Sequence, residues 1–213
     1  MAEIKNIIFD LGAVLIDIDF NRVNNSFLEL GISNFNNQYS QLLANKLFEN
    51  LEMGKISVED FYNAIQNQSS KPLQESDIKK AWNSIMGNFR IESMKKVQEL
   101  SQYYNVFLLS NTNAIHFEEI MSIANMQLGA ELDAFFKKTY YSFKIGMRKP
   151  NENIYNYVLR DALIKAEETF FIDDTAPNIE TAKRMGFITH LLLPSERVEQ
   201  LKYYDDDFYL TSS

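Results

Sequence analysis

Residues 4–10 read Ile-Lys-Asn-Ile-Ile-Phe-Asp, an apolar run that stops on a carboxylate. A short, nearly continuous apolar run suits a strand buried on both faces of a parallel sheet, where no polar outer face is needed. The segment 4–9 is therefore read as a strand, and runs of the same character follow at 106–109, 139–142, 169–172 and 187–193. Helical stripes lie among them. Ile91, Met94, Val97, Leu100 and Tyr104 mark one, Phe117, Ile120, Met121 and Ala124 a second, and Ile179, Ala182 and Met185 a third that ends at Gly186. Strand and helix in alternation predict an α/β fold, a Rossmann-like parallel sheet with helices on both faces.

Between about 20 and 89 the period is helical throughout. Val23, Phe27 and Leu30 precede Gly31, and Tyr39, Leu43, Leu47 and Leu51 form a second stripe. Ser57 and Asp60 have the spacing of a capping box ahead of Phe61 and Ile65, and Trp82 with Ile85 closes the region. The expectation is an all-helical cap at 17–89, inserted after the first strand of an α/β core formed by 1–16 and 90–213.

Composition bounds the function. The 213 residues are 46% hydrophobic and 23% charged with only seven Gly and four Pro, which excludes disorder and suits one core domain with a modest insert. A net charge of −8 repels nucleic acid and anionic lipid, so neither is expected as a partner. The chain has no Cys, which removes disulfides and thiolate chemistry and fits a cytoplasmic setting. No run of 18 apolar residues is present, so neither signal peptide nor membrane span is expected. The two histidines, His116 and His190, are far apart, which argues for a hard metal held by carboxylates over a zinc site. The sequence leaves monomer and dimer equally open.

In open parallel sheets the ligand crevice lies beyond the carboxyl ends of the strands. The first strand delivers Asp10 there, the second Ser110 and Asn111, a loop after the third Lys149, and the fourth Asp173 and Asp174. Carboxylates, a hydroxyl with nearby backbone donors and one ammonium suit Mg²⁺ and a phosphoryl group. In an acidic chain the positive charge for a dianion must be local, and Mg²⁺, Lys149 and the helix N-termini after Ser110 and Lys149 would supply it.

Four ordered segments, Ile-Ile-Phe-Asp-Leu-Gly-Ala-Val-Leu at 7–15, Leu-Leu-Ser-Asn-Thr-Asn at 108–113, Gly-Met-Arg-Lys-Pro at 146–150 and Phe-Phe-Ile-Asp-Asp-Thr-Ala-Pro-Asn at 170–178, resemble the motifs of the haloacid dehalogenase superfamily. The context Asp-Leu-Gly-Ala-Val-Leu-Ile-Asp-Ile-Asp-Phe, with Ser-Asn-Thr-Asn-Ala-Ile-His later, is similar to the subgroup that includes α-glucose-1-phosphate phosphatases. The resemblance implies a Mg²⁺-dependent phosphatase of a small phosphorylated metabolite, a sugar phosphate such as a hexose 1-phosphate, working through an aspartyl-phosphate. It implies Asp10 as nucleophile, Ser110 and the Asn111 backbone as phosphate binders, and Lys149 as the charge that neutralises the phosphoryl group and orients Asp10. For the metal it implies Asp10, the Gly12 carbonyl and Asp174 as ligands, with Asp173 directly behind and Asn178 orienting the set.

Gly12 departs from the superfamily pattern, which has an acid–base Asp at that position. An anomeric hydroxyl leaves more readily than a plain alcohol, so a sugar 1-phosphate would tolerate the loss best. In an extended segment Asp17 and Asp19 share one face and Ile16 and Ile18 the other, which makes the two carboxylates candidate replacements. Taken singly, each residue has an ordinary role: Asp10 and Ser110 as turn or cap residues, Asp173 and Asp174 as an N-cap pair, Lys149 as surface charge. His116 reads as a helical surface or core histidine, and Phe117, Met121, Tyr140 and Tyr141 as core. Asp205–Asp207 reads as a solvated terminal turn. Two other functions stay open: a 2-haloacid dehalogenase, which would need no metal, and a non-catalytic binding protein that kept the phosphate site.

Overall fold

All four residues of β1 (Asn6–Phe9) are buried, and the strand lies at the centre of a five-stranded parallel sheet. The computed structural model describes residues 3–40 and 43–203. After β1 come β2 (Ile16–Ile18), α1 (Phe20–Glu29), β3 (Tyr39–Ser40), β4 (Leu43–Ala44), α2 (Lys46–Glu52), α3 (Val58–Gln66), α4 (Glu75–Asn83) and β5 (Met86–Phe89). The chain continues through α5 (Ile91–Leu100), β6 (Asn105–Ser110), α6 (Ala114–Leu128), β7 (Lys138–Tyr141), α7 (Ser142–Ile145), α8 (Glu152–Ala162), β8 (Thr169–Asp173), α9 (Ala176–Arg184) and β9 (Ile188–Leu191). The sheet order is β7-β6-β1-β8-β9, so all five sequence-predicted strands form one layer, with no end moved by more than two residues. Ser142 falls outside its strand because it opens α7.

Period-2 alternation divides each strand between two cores. Ile7, Phe9, Leu108 and Ile172 pack with α5, α6 and the insert. Ile8, Phe107, Leu109 and Phe171 face Ile154, Tyr155 and Val158 of α8 and Ala182 of α9. Fully burying such side chains contributes about 1.5–3 kcal/mol each, and neither face could be left to water. Among the described residues no helix is long and apolar enough to cross a membrane.

The insert is helical, and it gathers around Trp82, which is fully buried and ringed by Phe27, Phe35, Tyr39, Phe48 and Phe61 at centroid distances of 4.8–6.4 Å. The capping box at the start of α3 is present: the Asp60 N–H donates to Ser57 Oγ at 2.9 Å and the Ser57 N–H to Asp60 Oδ2 at 3.0 Å. Two short antiparallel ladders interrupt the helical pattern. Tyr39–Ser40 pairs with Leu43–Ala44, so the stripe expected to run from Tyr39 through Leu43 to Leu51 is helical only from Lys46. Two-residue strands are below the length at which any period can be read. Ile16 pairs with Phe89 and Ile18 with Met86, so β2 and β5 form the two-stranded neck through which the chain leaves the sheet and returns. Arg90 fastens that neck, donating to the Ala13 carbonyl and, at 2.8 Å, to Asp17 Oδ1.

Candidate active site

The sheet register brings the site together. Phe9 stands opposite Ile172 and Leu108, and the Asp10 N–H donates to the Ile172 carbonyl at 2.9 Å. Asp10 is thereby level with Asp173 across one strand gap, while Ser110 lies two residues beyond Leu108 on the other side. Lys149 crosses beneath: its Nζ donates to Asp10 Oδ1 at 2.7 Å and to Asp173 Oδ2 at 2.6 Å, and only 1% of the residue is exposed.

Each of these groups is held by neighbours. Asp173 Oδ1 accepts from the Thr175 N–H at 2.8 Å, and Asn178 Nδ2 donates to both Asp173 oxygens at 3.0 Å. Asp173 thus binds the backbone N–H of Thr175, the residue ahead of α9, as well as Lys149, so a turn role and a site role coexist in one side chain. The Asn111 side chain, which the sequence reading passed over in favour of its backbone, clamps the Lys149 main chain: Nδ2 donates to the Lys149 carbonyl and Oδ1 accepts from the Lys149 N–H, both at 2.9 Å. Asn113, not Ser110, caps α6, accepting from the Ile115 and His116 N–H groups.

Burial sets the charge states. It pushes the Asp10 carboxyl up to about 7; the Lys149 ammonium pulls against this, and Asp173 and Asp174 add to it. Asp174 is likewise raised, by burial and then by Asp173. For Lys149 burial works against the charge, but Asp10 and Asp173 overcome it and hold the ammonium above its usual range. Asp10, Asp173 and Asp174 each place one carboxylate oxygen within 4.8 Å of the others. Three carboxyl groups crowd one ammonium, and ionising all of them calls for further positive charge, which a divalent cation supplies. All-oxygen donors fit a hard one such as Mg²⁺.

The cluster opens into a cavity of about 700 Å³ lined by Asp10, Gly12, Ser110, Asn111, Lys149, Asp174 and Asn178 on the sheet side. Asp173 lies behind this surface, fully buried. Ile16, Ile18, Phe20, Ile85 and Met86 supply an apolar wall. Asp17 and Asp19 do not line it, because the alternation that points Ile16 and Ile18 inward turns both carboxylates away. Asp17 is held by Arg90, and Asp19 caps α1 by accepting from the Asn21 N–H at 2.9 Å. Neither can replace the acid absent at Gly12. His116 reaches the cavity wall, yet it is buried, with both ring nitrogens engaged and a pKa lowered by burial to about 4, so it is a core histidine. Tyr140 and Tyr141 are core, whereas Phe117 and Met121 are partly buried and pack against it. Asp205–Asp207 lies outside the described residues.

The sequence reading missed a second polar group in the same cavity. Tyr39, Glu49, Glu52 and Arg148 also line it, and Arg148 Nε donates to Glu52 Oε2 at 2.8 Å. One signal was available. Glu52 continues the apolar stripe of Phe48 and Leu51 at the i+4 position, where a carboxylate is buried only with a partner.

Residues 4–186 match the haloacid dehalogenase-like hydrolase family. A D-ribitol-5-phosphate phosphatase of Bacteroides thetaiotaomicron is 30% identical over 186 residues, covering 87% of this chain and 90% of that protein. A haloacid dehalogenase family enzyme of the same organism, solved as the wild-type protein with magnesium and inorganic phosphate, superposes with a TM-score of 0.83 at 33% identity over 91% of this chain and 96% of that one. A HAD-like family hydrolase from Porphyromonas gingivalis gives a TM-score of 0.84 at 34% identity over 92% and 94%. With its four motif segments folded into one site and the family match spanning nearly all of the sheet, the chain belongs to the haloacid dehalogenase-like hydrolases.

Proposed function

We propose that the protein is a Mg²⁺-dependent phosphatase that hydrolyses phosphate monoesters of small hydroxylated metabolites, sugar or sugar-alcohol phosphates. The observation that carries this reading is the buried Asp10–Lys149–Asp173 contact with Asp174 beside it, facing a cavity of metabolite size. The similarity to a ribitol-5-phosphate phosphatase supports a polyol ester, and the motif context supports a hexose 1-phosphate. Both compounds share the class.

In this reading residues 17–89 act as a cap over a core made of 1–16 and 90–213. Asp10, the Gly12 carbonyl and Asp174, with Asp173 behind them, would hold the divalent cation, which would offset the negative charge of the phosphoryl group and the carboxylates. An Asp10 oxygen attacks phosphorus in line, a P–O bond to Asp10 forms, and the ester P–O bond breaks as the alcohol departs, its oxygen taking a proton from solvent water. Water then attacks phosphorus, the bond to Asp10 breaks, and phosphate is released. Ser110 and the Asn111 N–H hold phosphoryl oxygens, while Lys149, fixed by the Asn111 side chain, steadies Asp10 and the developing charge. With glycine at position 12, esters whose alcohols leave readily are favoured.

The test is phosphate release from a panel of sugar and polyol phosphates with and without Mg²⁺. Hydrolysis that needs the cation and vanishes in Asp10→Asn is the expected result. Silence across a panel containing hexose 1-phosphates and ribitol 5-phosphate overturns the reading.

A further inference from the structure

Phosphate chemistry at the Asp10 cluster leaves a second polar group of the cavity unexplained. There Arg148 Nε donates to Glu52 Oε2 at 2.8 Å and Nη1 to Glu49 Oε1 at 3.2 Å, and the Tyr39 hydroxyl donates to Glu52 Oε1 at 3.4 Å. The group joins α2 of the insert to the residue directly before Lys149. Glu52 is buried, and burial holds its carboxyl above the usual range even though Arg148 pulls it down. Its two oxygens are spent on Arg148 and Tyr39.

Two atoms of the group are not spent. Among the described residues Arg148 Nη2 and Glu49 Oε2 make no hydrogen bond, and both side chains line the cavity. The cavity's other charged and titratable side chains outside the Asp10 cluster are engaged within the fold: Arg90 with Asp17 and the Ala13 carbonyl, and His116 with Asn113 and the Trp82 carbonyl.

We propose that Arg148 and Glu49 form a hydroxyl-reading subsite, one donor beside one acceptor, that selects phosphate esters of polyhydroxylated carbon chains over esters of apolar alcohols. This rests on the phosphatase reading above. A hydroxyl donates and accepts at once, so neighbouring hydroxyls satisfy both unspent atoms without disturbing the contacts that hold them. An apolar chain strips water from the same two atoms and returns nothing, and sites built to bond a hydroxyl discriminate strongly against analogues that lack it. Glu52 and Tyr39 act as positioning residues: they fix the guanidinium plane so that Nη2 is presented ready-oriented. Arg148 is covalently next to Lys149, which ties the reading of the carbon chain to the place where phosphorus must sit.

The experiment uses the full chain with Mg²⁺ and measures kcat/KM for butyl phosphate and for the better of ribitol 5-phosphate and glucose 1-phosphate. Wild type, Glu49→Ala, Arg148→Gln and Arg148→Lys are compared. The expected result is a wild type that prefers the polyhydroxylated ester, with the ratio of the two kcat/KM values falling at least tenfold in Glu49→Ala and Arg148→Gln, mainly through KM. Arg148→Lys, which keeps the charge but loses the planar fork, recovers part of the ratio. A ratio that falls less than tenfold in Glu49→Ala and in any Arg148→Gln protein that folds overturns the proposal, whatever happens to overall activity. Glu49 is partly exposed, so its variant keeps the test open should Arg148→Gln fail to fold. A wild type that hydrolyses p-nitrophenyl phosphate without preferring the polyhydroxylated ester overturns the subsite alone. A wild type inactive on every ester overturns the phosphatase reading and the subsite with it.

Discussion

His116 Nε2 lies 3.1 Å from the Trp82 carbonyl oxygen, and the two rings stack with centroids 4.3 Å apart. A carbonyl can only accept, so Nε2 carries the proton. Nδ1 is then the acceptor for Asn113 Nδ2 at 3.1 Å, and Asn113 Oδ1 in turn receives the Trp82 indole N–H at 3.3 Å. The closed ring of bonds joins α4 of the insert to α6 and has no place for a second proton on His116.

That arrangement gives a pH signature. Burial lowers the His116 pKa from 6.5 to about 4 in the folded protein. The unfolded chain takes up its proton first as pH falls, so the stability held above about pH 6.5 is lost on the way down to about pH 4. The loss amounts to about 3 kcal/mol. Because the Asp10 carboxyl, raised to about 7, contributes with the opposite sign over the same range, the His116 effect is read as the difference in urea-denaturation stability between wild type and His116→Gln from pH 7 to pH 4. His116→Gln should be less stable than wild type at pH 7 and should lose less over the same interval.

A β-carbon on Gly12 would lie 3.3 Å from Cγ1 of Ile18, tighter than ordinary packing. The side chain that closes the apolar wall also occupies the approach to the position where relatives in the superfamily pattern carry an acid. Gly12→Asp is therefore expected to cost about 1–3 kcal/mol through overpacking. In a double-mutant cycle, adding Ile18→Ala should cost less beside Gly12→Asp than it does alone, measured by chemical denaturation. Strict additivity would mean that the two side chains do not compete.

The sheet and the placing of Asp10, Ser110, Asp173 and Asp174 at its strand ends were legible because buried parallel strands must be apolar throughout, whereas Lys149, in the loop ahead of α8, was singled out by its place between Ser110 and Asp174 in the motif order. Once Phe9 is aligned with Ile172, Asp10 and Asp173 have no choice but to meet. The neck strands β2 and β5 were not legible, since three or four residues next to a helical stripe carry no period of their own. Arg148 and Glu52 were hidden for a different reason. They are 96 positions apart, and nothing local distinguishes a guanidinium that will be packed against the insert from one that will face water.

Lys149 is the only cation that contacts Asp10 and Asp173 among the described residues, and it is almost wholly buried. Lys149→Met keeps much of the volume but leaves those carboxylates to repel one another. Without divalent cations the variant should lose about 3–5 kcal/mol, the usual cost of breaking a buried pair by removing one partner. Millimolar Mg²⁺ should return part of the loss while phosphate release stays depressed by at least a hundredfold. Thermal melts in chelator and in Mg²⁺, together with a phosphate assay, read both effects.

Gly54, in the turn between α2 and α3, has φ +63°, and a β-carbon there would collide with the Phe143 carbonyl oxygen on α7. The turn that carries the end of α2, and with it Glu49 and Glu52, is thus seated on the backbone of the core. Two separate penalties attach to a side chain here, and they can be told apart. The left-handed backbone alone costs about 1–2 kcal/mol for alanine, and less for asparagine, which visits that region more readily. A collision with backbone is indifferent to which side chain follows the β-carbon. Gly129 supplies the control: its φ is +69°, but a β-carbon would meet nothing within 4 Å. At Gly129, asparagine should be tolerated and alanine mildly destabilising. At Gly54, alanine and asparagine should fall together and further, because the α2–α3 turn must lift away from α7. Urea midpoints of the four variants decide it; near-wild-type stability in Gly54→Asn would show that only the backbone angle mattered and that the turn is not pressed against Phe143.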